Sequence, residues 1–233
     1  SNNTMSLAAG KDQAIITING VESGHGSNNI VAFNSMDGGW DSILGSTVGS
    51  DDGVYLVDEN NTIAKNNNFR NFYDAGLETA GFISGVQFLD NTIDNVGVTG
   101  MGAWYNNSWL NNTVRGNVVT NAPRLFQFLR DFGLQPGEQY VYFQNNIFSS
   151  NLFYPSKYSI HSVSWFDFQN SNSRNGGPIT ASSMRLGNNT FTQNNFGVDL
   201  NGPLFLPSTM IVDGGGNICS KTSGENYPLK CGQ

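Results

Sequence analysis

One short pattern recurs along this chain and limits its folding options more than any other feature: Asn, any residue, an apolar residue, two further residues, then Asn, any residue, apolar. It reads Asn112-Thr-Val114-Arg-Gly-Asn117-Val-Val119 in one copy, Asn146-Ile-Phe148-Ser-Ser-Asn151-Leu-Phe153 in a second, and Asn189-Thr-Phe191-Thr-Gln-Asn194-Asn-Phe196 in a third. A fourth, Asn61-Thr-Ile63-Ala-Lys-Asn66, is stretched by one residue before Phe69; looser copies start at Asn34 and Asn91, and Asn217-Ile-Cys219 is a truncated last one. The first asparagines of these copies stand 27, 30, 21, 34, 43 and 28 residues apart. Self-similarity at roughly 20 to 50 residues is the mark of chains that stack one supersecondary unit on the next.

The unit is made of strands. Alternating runs precede most copies: Val54-Tyr-Leu56, Val86-Gln-Phe88, Val141-Tyr-Phe143 and Met184-Arg-Leu186. Alternation with a period of two is the strand signature. Leu125, Phe128, Leu129 and Phe132 would line a helix face, but their stretch also alternates and reads as strand. Uneven repeats of this length fit coils of a β-solenoid with loops of varying size. Ile63, Ile93, Val114, Phe148 and Phe191 are then expected to pile into one inward column. The asparagines, at the bends, are expected to hydrogen-bond from coil to coil. A buried polar side chain is tolerated only when satisfied in this way. The expected fold is all-β, a single-stranded parallel β-helix of about seven or more coils. It occupies residues 15–218, with 1–14 as an N-terminal tail or truncated cap and 219–233 as a C-terminal cap.

Composition agrees and excludes other classes. The 233 residues include 33 asparagines and 28 glycines, the two residues that best tolerate left-handed backbone at sharp corners. Eleven Lys+Arg against eighteen Asp+Glu leave a net charge of −7 with no basic run, which argues against nucleic-acid binding. No apolar stretch approaches the ~18 residues of a membrane span. The 12% aromatic content argues against disorder. The two cysteines, Cys219 and Cys231, read as a disulfide closing a short terminal loop in an oxidising compartment, the alternative being two free thiols. Closure of so short a loop contributes about 3 kcal/mol. The N-terminal residues hold no lid-like helix, which suggests either the C-terminal part of a longer protein or an unusual cap; the cysteine pair points to an exported, extracellular or cell-surface protein.

The run Asp52-Gly-Val-Tyr-Leu-Val-Asp-Glu-Asn-Asn-Thr-Ile63, with Asn66-Asn-Asn-Phe69 and Ala75-Gly-Leu77 after it, resembles right-handed parallel β-helix repeats of the pectate-lyase-like type. The resemblance covers roughly residues 30–219 and implies the fold; that superfamily includes polysaccharide lyases, glycoside hydrolases, epimerases and non-catalytic surface proteins. Gly24-His25-Gly26 is similar to the Gly-His-Gly of polygalacturonase-like hydrolases. Here, however, it precedes the acidic pair Asp51-Asp52, and no Arg-X-Lys follows.

Three groups of residues are candidates for function. Asp51 and Asp52 head the densest acidic stretch, which continues through Asp58, Glu59, Asp74 and Glu78. Its hard oxygen ligands would suit Ca²⁺, although solvated turn carboxylates explain the same residues. Asp90 and Asp94 lie one coil from Arg115, the closest approach of acid to base that a lyase would need, and His161 is an isolated imidazole. Trp104, Tyr105, Trp109, Tyr158 and Trp165 offer ring faces on which sugars stack. The function these suggest is a module contacting polysaccharide or surface glycan through loops on one side, without catalysis. The alternatives are a carbohydrate-active enzyme (a Ca²⁺-assisted lyase or a hydrolase using paired carboxylates) and a structural stalk or filament subunit.

Overall fold

Two corners of most described repeats are built alike: a residue in the left-handed conformation is followed by a buried polar residue. The computed structural model describes residues 1–6, 13–20, 25–41, 49–130, 140–156, 164–170, 184–196 and 211–218. At one corner Asn66, Asp90, Gly116, Ser150 and Gln193 have φ between 53° and 68° and precede Asn67, Asn91, Asn117, Asn151 and Asn194. At the other, Asn111, Asn145 and Asn188 (φ 55–57°) precede Asn112, Asn146 and Asn189. The left-handed residue turns the chain through a tight bend, and the next side chain is carried inward.

At the first corner the inward amides form a continuous ladder. Asn34 donates its Nδ2–H to Oδ1 of Asn67 (3.0 Å), Asn67 to Asn91 (3.0 Å), Asn91 to Asn117 (3.0 Å), Asn117 to Asn151 (3.1 Å), Asn151 to Asn194 (2.9 Å) and Asn194 to Asn217 (3.0 Å). Asn3 extends it by one rung (3.1 Å). The second amide proton goes to a backbone carbonyl one coil back, as from Asn91 to Ala64 and from Asn117 to Phe88 (2.9 Å each). At the second corner Asn146 donates to Asn189 (2.8 Å), while in earlier coils Thr62 and Asn29 donate to the buried carboxylate of Glu59 (2.5 and 2.8 Å).

The expected phase of the repeat is corrected in two places. Asn34, Asn91 and Asn217 do not begin copies; they share a corner with Asn117, Asn151 and Asn194. Asn61 and Asn66 are the exposed left-handed residues, and their successors Thr62 and Asn67 are the buried ones. Successive rungs lie from 23 to 43 residues apart, so spacing alone does not identify the corner.

Twenty-three strands, numbered along the chain, fall mainly into three parallel sheets among the described residues. The first holds β2 (Ala14–Asn19), β6 (Asp52–Val57), β10 (Ala75–Ser84), β13 (Thr99–Leu110), β16 (Arg124–Arg130) and β20 (Ser164–Asn170), in that order. β3 (Gly26–Ser27), β7 (Glu59–Asn60), β17 (Val141–Gln144) and β21 (Met184–Gly187) pair along the later halves of these strands. The second sheet holds β4 (Ile30–Ala32), β8 (Ile63–Lys65), β11 (Gln87–Leu89), β14 (Thr113–Arg115), β18 (Ile147–Ser149), β22 (Asn189–Thr192) and β23 (Ile211–Asp213). The third holds β1 (Thr4–Ser6), β5 (Ser35–Asp37), β9 (Asn68–Phe72), β12 (Thr92–Val96), β15 (Val118–Ala122) and β19 (Leu152–Pro155). From β6 to β19 the chain visits first, second and third sheet in rotation, and each visit adds a strand beside the previous one.

The fold is therefore all-β and parallel. No helix occurs among the described residues, and none is long and apolar enough to cross a membrane. The stretch with ambiguous periodicity is strand β16, and the segment expected as a tail supplies β1.

Inward side chains pile up between the sheets. In the second sheet one column runs Val31, Ala64, Phe88, Val114, Phe148, Phe191, with the rings of Phe148 and Phe191 stacked at 4.7 Å and 4°. Ile63 is displaced from it by one residue, and Ala64 takes its place. Ile93 belongs to the third sheet, between Phe69 and Val119. Both corrections follow from the phase shift, because a slip of one residue exchanges the two faces of a strand.

One local cost is visible. Ser150 adopts φ 54° at an exposed corner where the preceding coil uses Gly116. Left-handed backbone penalises an L side chain by roughly 1–2 kcal/mol, part of which glycine returns as unfolded-chain entropy. Ser150→Gly is expected to raise unfolding stability by up to about 1 kcal/mol, measured as a higher urea midpoint at unchanged slope.

Candidate functional site

The corner from the third sheet back to the first is tight, and it shapes the site. Gly53, Gly76 and Gly100 stand there in successive coils. A Cβ on them would lie 2.4, 2.8 and 2.6 Å from Phe69, Ile93 and Val119. Only glycine lets the first sheet start this close to the third, and the residue before Gly53, Asp52, is thereby held at the sheet's edge.

Asp52 stands beside Glu78, which faces outward from β10 between Tyr55 of β6 and Gly102 of β13. Asp51 and Asp74 complete the acidic wall. The groove they line has a volume of about 460 Å³ and crosses four neighbouring strands, β2, β6, β10 and β13. These acids are not the solvated turn carboxylates that composition suggests: Asp51, Asp52 and Glu78 are 7%, 7% and 5% exposed.

Burial governs their protonation. Glu78 is raised well above the usual carboxylate range, first by desolvation and then by the charge and hydrogen bond of Asp52, with Asp74 and Asp51 adding to it. For Asp52 desolvation is again the largest effect. The hydrogen bond from Glu78 lowers it, the Asp51 charge raises it, and the Ala75 N–H (3.1 Å) lowers it, leaving it at about 7. Glu78 is thus the member of the pair that holds the shared proton and donates it to Asp52. Desolvation and the neighbouring Glu78 and Asp52 charges raise the Tyr55 phenol as well, so Tyr55 stays neutral and able to donate.

Aromatic groups form the far wall. β13 carries two more residues than β10 between Thr79/Ala103 and Phe82/Ser108, and Tyr105 in this bulge has φ 57°. The bulge turns Tyr105 toward the groove, as bulges beside functional sites commonly do. Trp104 lies back over Gly102, where an added Cβ would meet the indole at 3.3 Å. Its Nε1–H donates to Oε1 of Gln127 (3.1 Å), which fixes the ring in the wall.

The structure brings Asp51, Asp52, Trp104 and Tyr105 together and disperses the other candidates. Trp109 is fully buried, its ring 5.3 Å from Phe143 and 4.9 Å from Phe126, so it is a core residue and not a platform for sugar. Asp90 is an exposed left-handed corner residue. Asp94 accepts from Thr120 (2.6 Å) and Asn121 (2.8 Å) in the third sheet, whereas Arg115 is exposed on the second; the three form no shared site. Tyr158, His161, Cys219 and Cys231 lie outside the described residues, as does the side chain of Trp165. Asp74 and Glu78 were read only as members of the acidic stretch, and Gln13, Thr17 and Tyr55 are members of the groove that sequence reasoning passed over.

Asp52, Asp74 and Glu78 each offer an oxygen within 4.8 Å of the others, a hard donor set that suits Ca²⁺. A cation held there would displace the proton between Asp52 and Glu78. No protein-family model, curated protein or solved structure matches this chain.

Proposed function

We propose that the chain is a right-handed parallel β-helix of the pectate-lyase-like type, exported and capped by a Cys219–Cys231 disulfide, and that its groove hydrolyses polysaccharide. Support for the winding comes from the rotation of strands among three parallel sheets and from the amide ladder. The observation that carries the activity is the buried Asp52–Glu78 pair on the groove floor, one group protonated and its partner able to ionise. This pair moves the reading from non-catalytic glycan contact to catalysis. Among the described lining residues there is no Lys or Arg to serve as the base of a lyase.

The pair divides acid and base work in the usual manner of two carboxyls whose environments differ. Glu78 gives its proton to the glycosidic oxygen as that bond breaks, and ionised Asp52 attacks the anomeric carbon. Glu78, now ionised, takes a proton from the water that displaces Asp52, and the starting state returns.

Reducing-end release from a polysaccharide panel tests this. Glu78→Gln and Asp52→Asn are each expected to cost at least about a hundredfold in kcat, and wild-type activity to rise through about pH 7 as Asp52 ionises. Turnover equal to that of wild type in both variants would remove the pair from catalysis.

A further inference from the structure

Displacement at a sugar's anomeric carbon runs in line: incoming oxygen, carbon, departing oxygen, with the acid beside the last of these. The groove sets out its residues in the same order. Asp52 opens β6 at the corner, level with Ala75 of β10. Glu78 stands one strand over and further along, level with Tyr55. Tyr105 stands one more strand over and further along again, in the bulge of β13 that faces β10 between Thr79 and Gly81. Asp52, Glu78 and Tyr105 therefore follow one another on a diagonal of the first sheet.

The last step of that diagonal has the size of a sugar. From Glu78 to Tyr105 it is one strand across and about two residues along, about 8 Å in all, which holds one ring beyond the acid. Tyr105 is half-buried and keeps left-handed backbone, φ 57°, uncommon for a bulky residue and retained where the surroundings enforce it. Its ring offers a face to sugar C–H groups, and Trp104, fixed by Gln127 (3.1 Å), lines the same wall. On the far side of Asp52 runs β2, where Ala14 is level with Asp52 and Thr17 with Tyr55. Thr17 is exposed there and lines the groove, a hydroxyl suited to sugar hydroxyls.

We infer that the aromatic wall is the leaving-group subsite: the sugar attacked by Asp52 lies over β2 and β6, and the ring that departs with the proton of Glu78 rests on Tyr105. This rests on the hydrolytic reading proposed above. A substrate with no departing ring separates the two subsites. In a glycosyl fluoride, fluoride leaves with the electron pair of the C–F bond as Asp52 bonds to the anomeric carbon. Water then displaces Asp52 and passes one proton to solvent through Glu78, giving sugar, fluoride ion and one proton.

Full-length wild type, Tyr105→Ala, Tyr105→Phe and Thr17→Ala are assayed on xylan, a β-glucan, mannan and polygalacturonate by reducing-end release. The fluoride of each polymer's disaccharide, in the polymer's anomeric configuration, is followed with a fluoride electrode. On the polymer that wild type cleaves fastest, Tyr105→Ala is expected to lower kcat/KM at least tenfold, while turnover of the matching fluoride stays within twofold. That fluoride turnover also shows the variant to be folded. Tyr105→Phe, which keeps the ring, is expected to match wild type on both substrates, and Thr17→Ala to slow both alike. Tyr105→Ala slowing polymer and fluoride equally, or neither, overturns the inference and leaves the hydrolase reading standing. A polymer cleaved by wild type while its fluoride stays intact also overturns it, because contacts to the attacked sugar alone are expected to suffice. Wild type that turns over none of the polymers or fluorides ends both readings.

Discussion

Asn117→Ala is expected to lower unfolding stability by about 5 kcal/mol, because several buried hydrogen bonds are lost at once. Asn117 is fully buried, and its Oδ1 accepts two protons from Asn91, from the backbone N–H and from Nδ2 (3.0 Å each). Its own Nδ2 donates to Phe88 (2.9 Å) and to Asn151 (3.1 Å). Truncation leaves two buried donors on Asn91 without an acceptor and takes a donor from two buried oxygens. Each orphaned group costs roughly 1–3 kcal/mol, and the amide is gone from a space too tight for easy repair. For a domain of this length the loss corresponds to a fall of about 10–20 °C in Tm. Asn68→Ala, one residue beyond a ladder position but exposed on β9, is expected to stay within about 0.5 kcal/mol. A urea titration separates the two. Equal stability of Asn117→Ala and wild type would mean that the coils are held by their apolar columns alone.

The ladder also shows how far the sequence can be read. Repetition of Asn-x₄-Asn announces stacked corners, because only side chains landing on their own kind can satisfy one another in the interior. Which asparagine is buried is harder to see. The left-handed residue before each rung is itself often Asn, so doublets and the triplet Asn66-Asn67-Asn68 do not reveal their inward member. The same limit explains Ile63 and Ile93, assigned to one column and found in different places once the corner is fixed. Trp104 and Trp109 carry a readable signal: five residues apart on one strand, they belong on opposite faces, and the structure turns the second into the core and sets the first, itself only 8% exposed, in the groove wall. For Glu78 the sequence offered its place in the acidic stretch but no sign of its partner. It lies between Leu77 and Thr79 in an ordinary alternation, and its meeting with Asp52 depends on the chain returning after a whole coil. Burial of acids at such a return is a property of the stacked sheet, not of any segment.

The second large effect concerns pH, and its sign is opposite to that of most acidic proteins. Asp52 titrates at about 7 in the folded chain against 3.8 when unperturbed, and Glu78 is shifted the same way from 4.5. Between these limits the folded state holds more protons than the unfolded state, so stability falls as pH rises. The loss begins near the ordinary carboxylate range and is complete for Asp52 above about 7. A shift of this size is worth on the order of 4 kcal/mol. Asp37, whose ion pair and hydrogen bonds hold it below 3.8, acts oppositely but only in more acidic solution, outside this window. Wild type is therefore expected to melt several degrees lower at pH 8 than at pH 5. Asp52→Asn and Glu78→Gln, which keep the shape and lose the charge, are expected to remove most of that slope and to melt above wild type at pH 8 while matching it near pH 4. A substitution that stabilises the fold and abolishes turnover marks a group kept for chemistry at the expense of stability. Wild type melting higher at pH 8 than at pH 5, or a slope untouched by either variant, would mean that the two carboxyls do not share a buried proton, and the acid and base roles assigned to them would fall together.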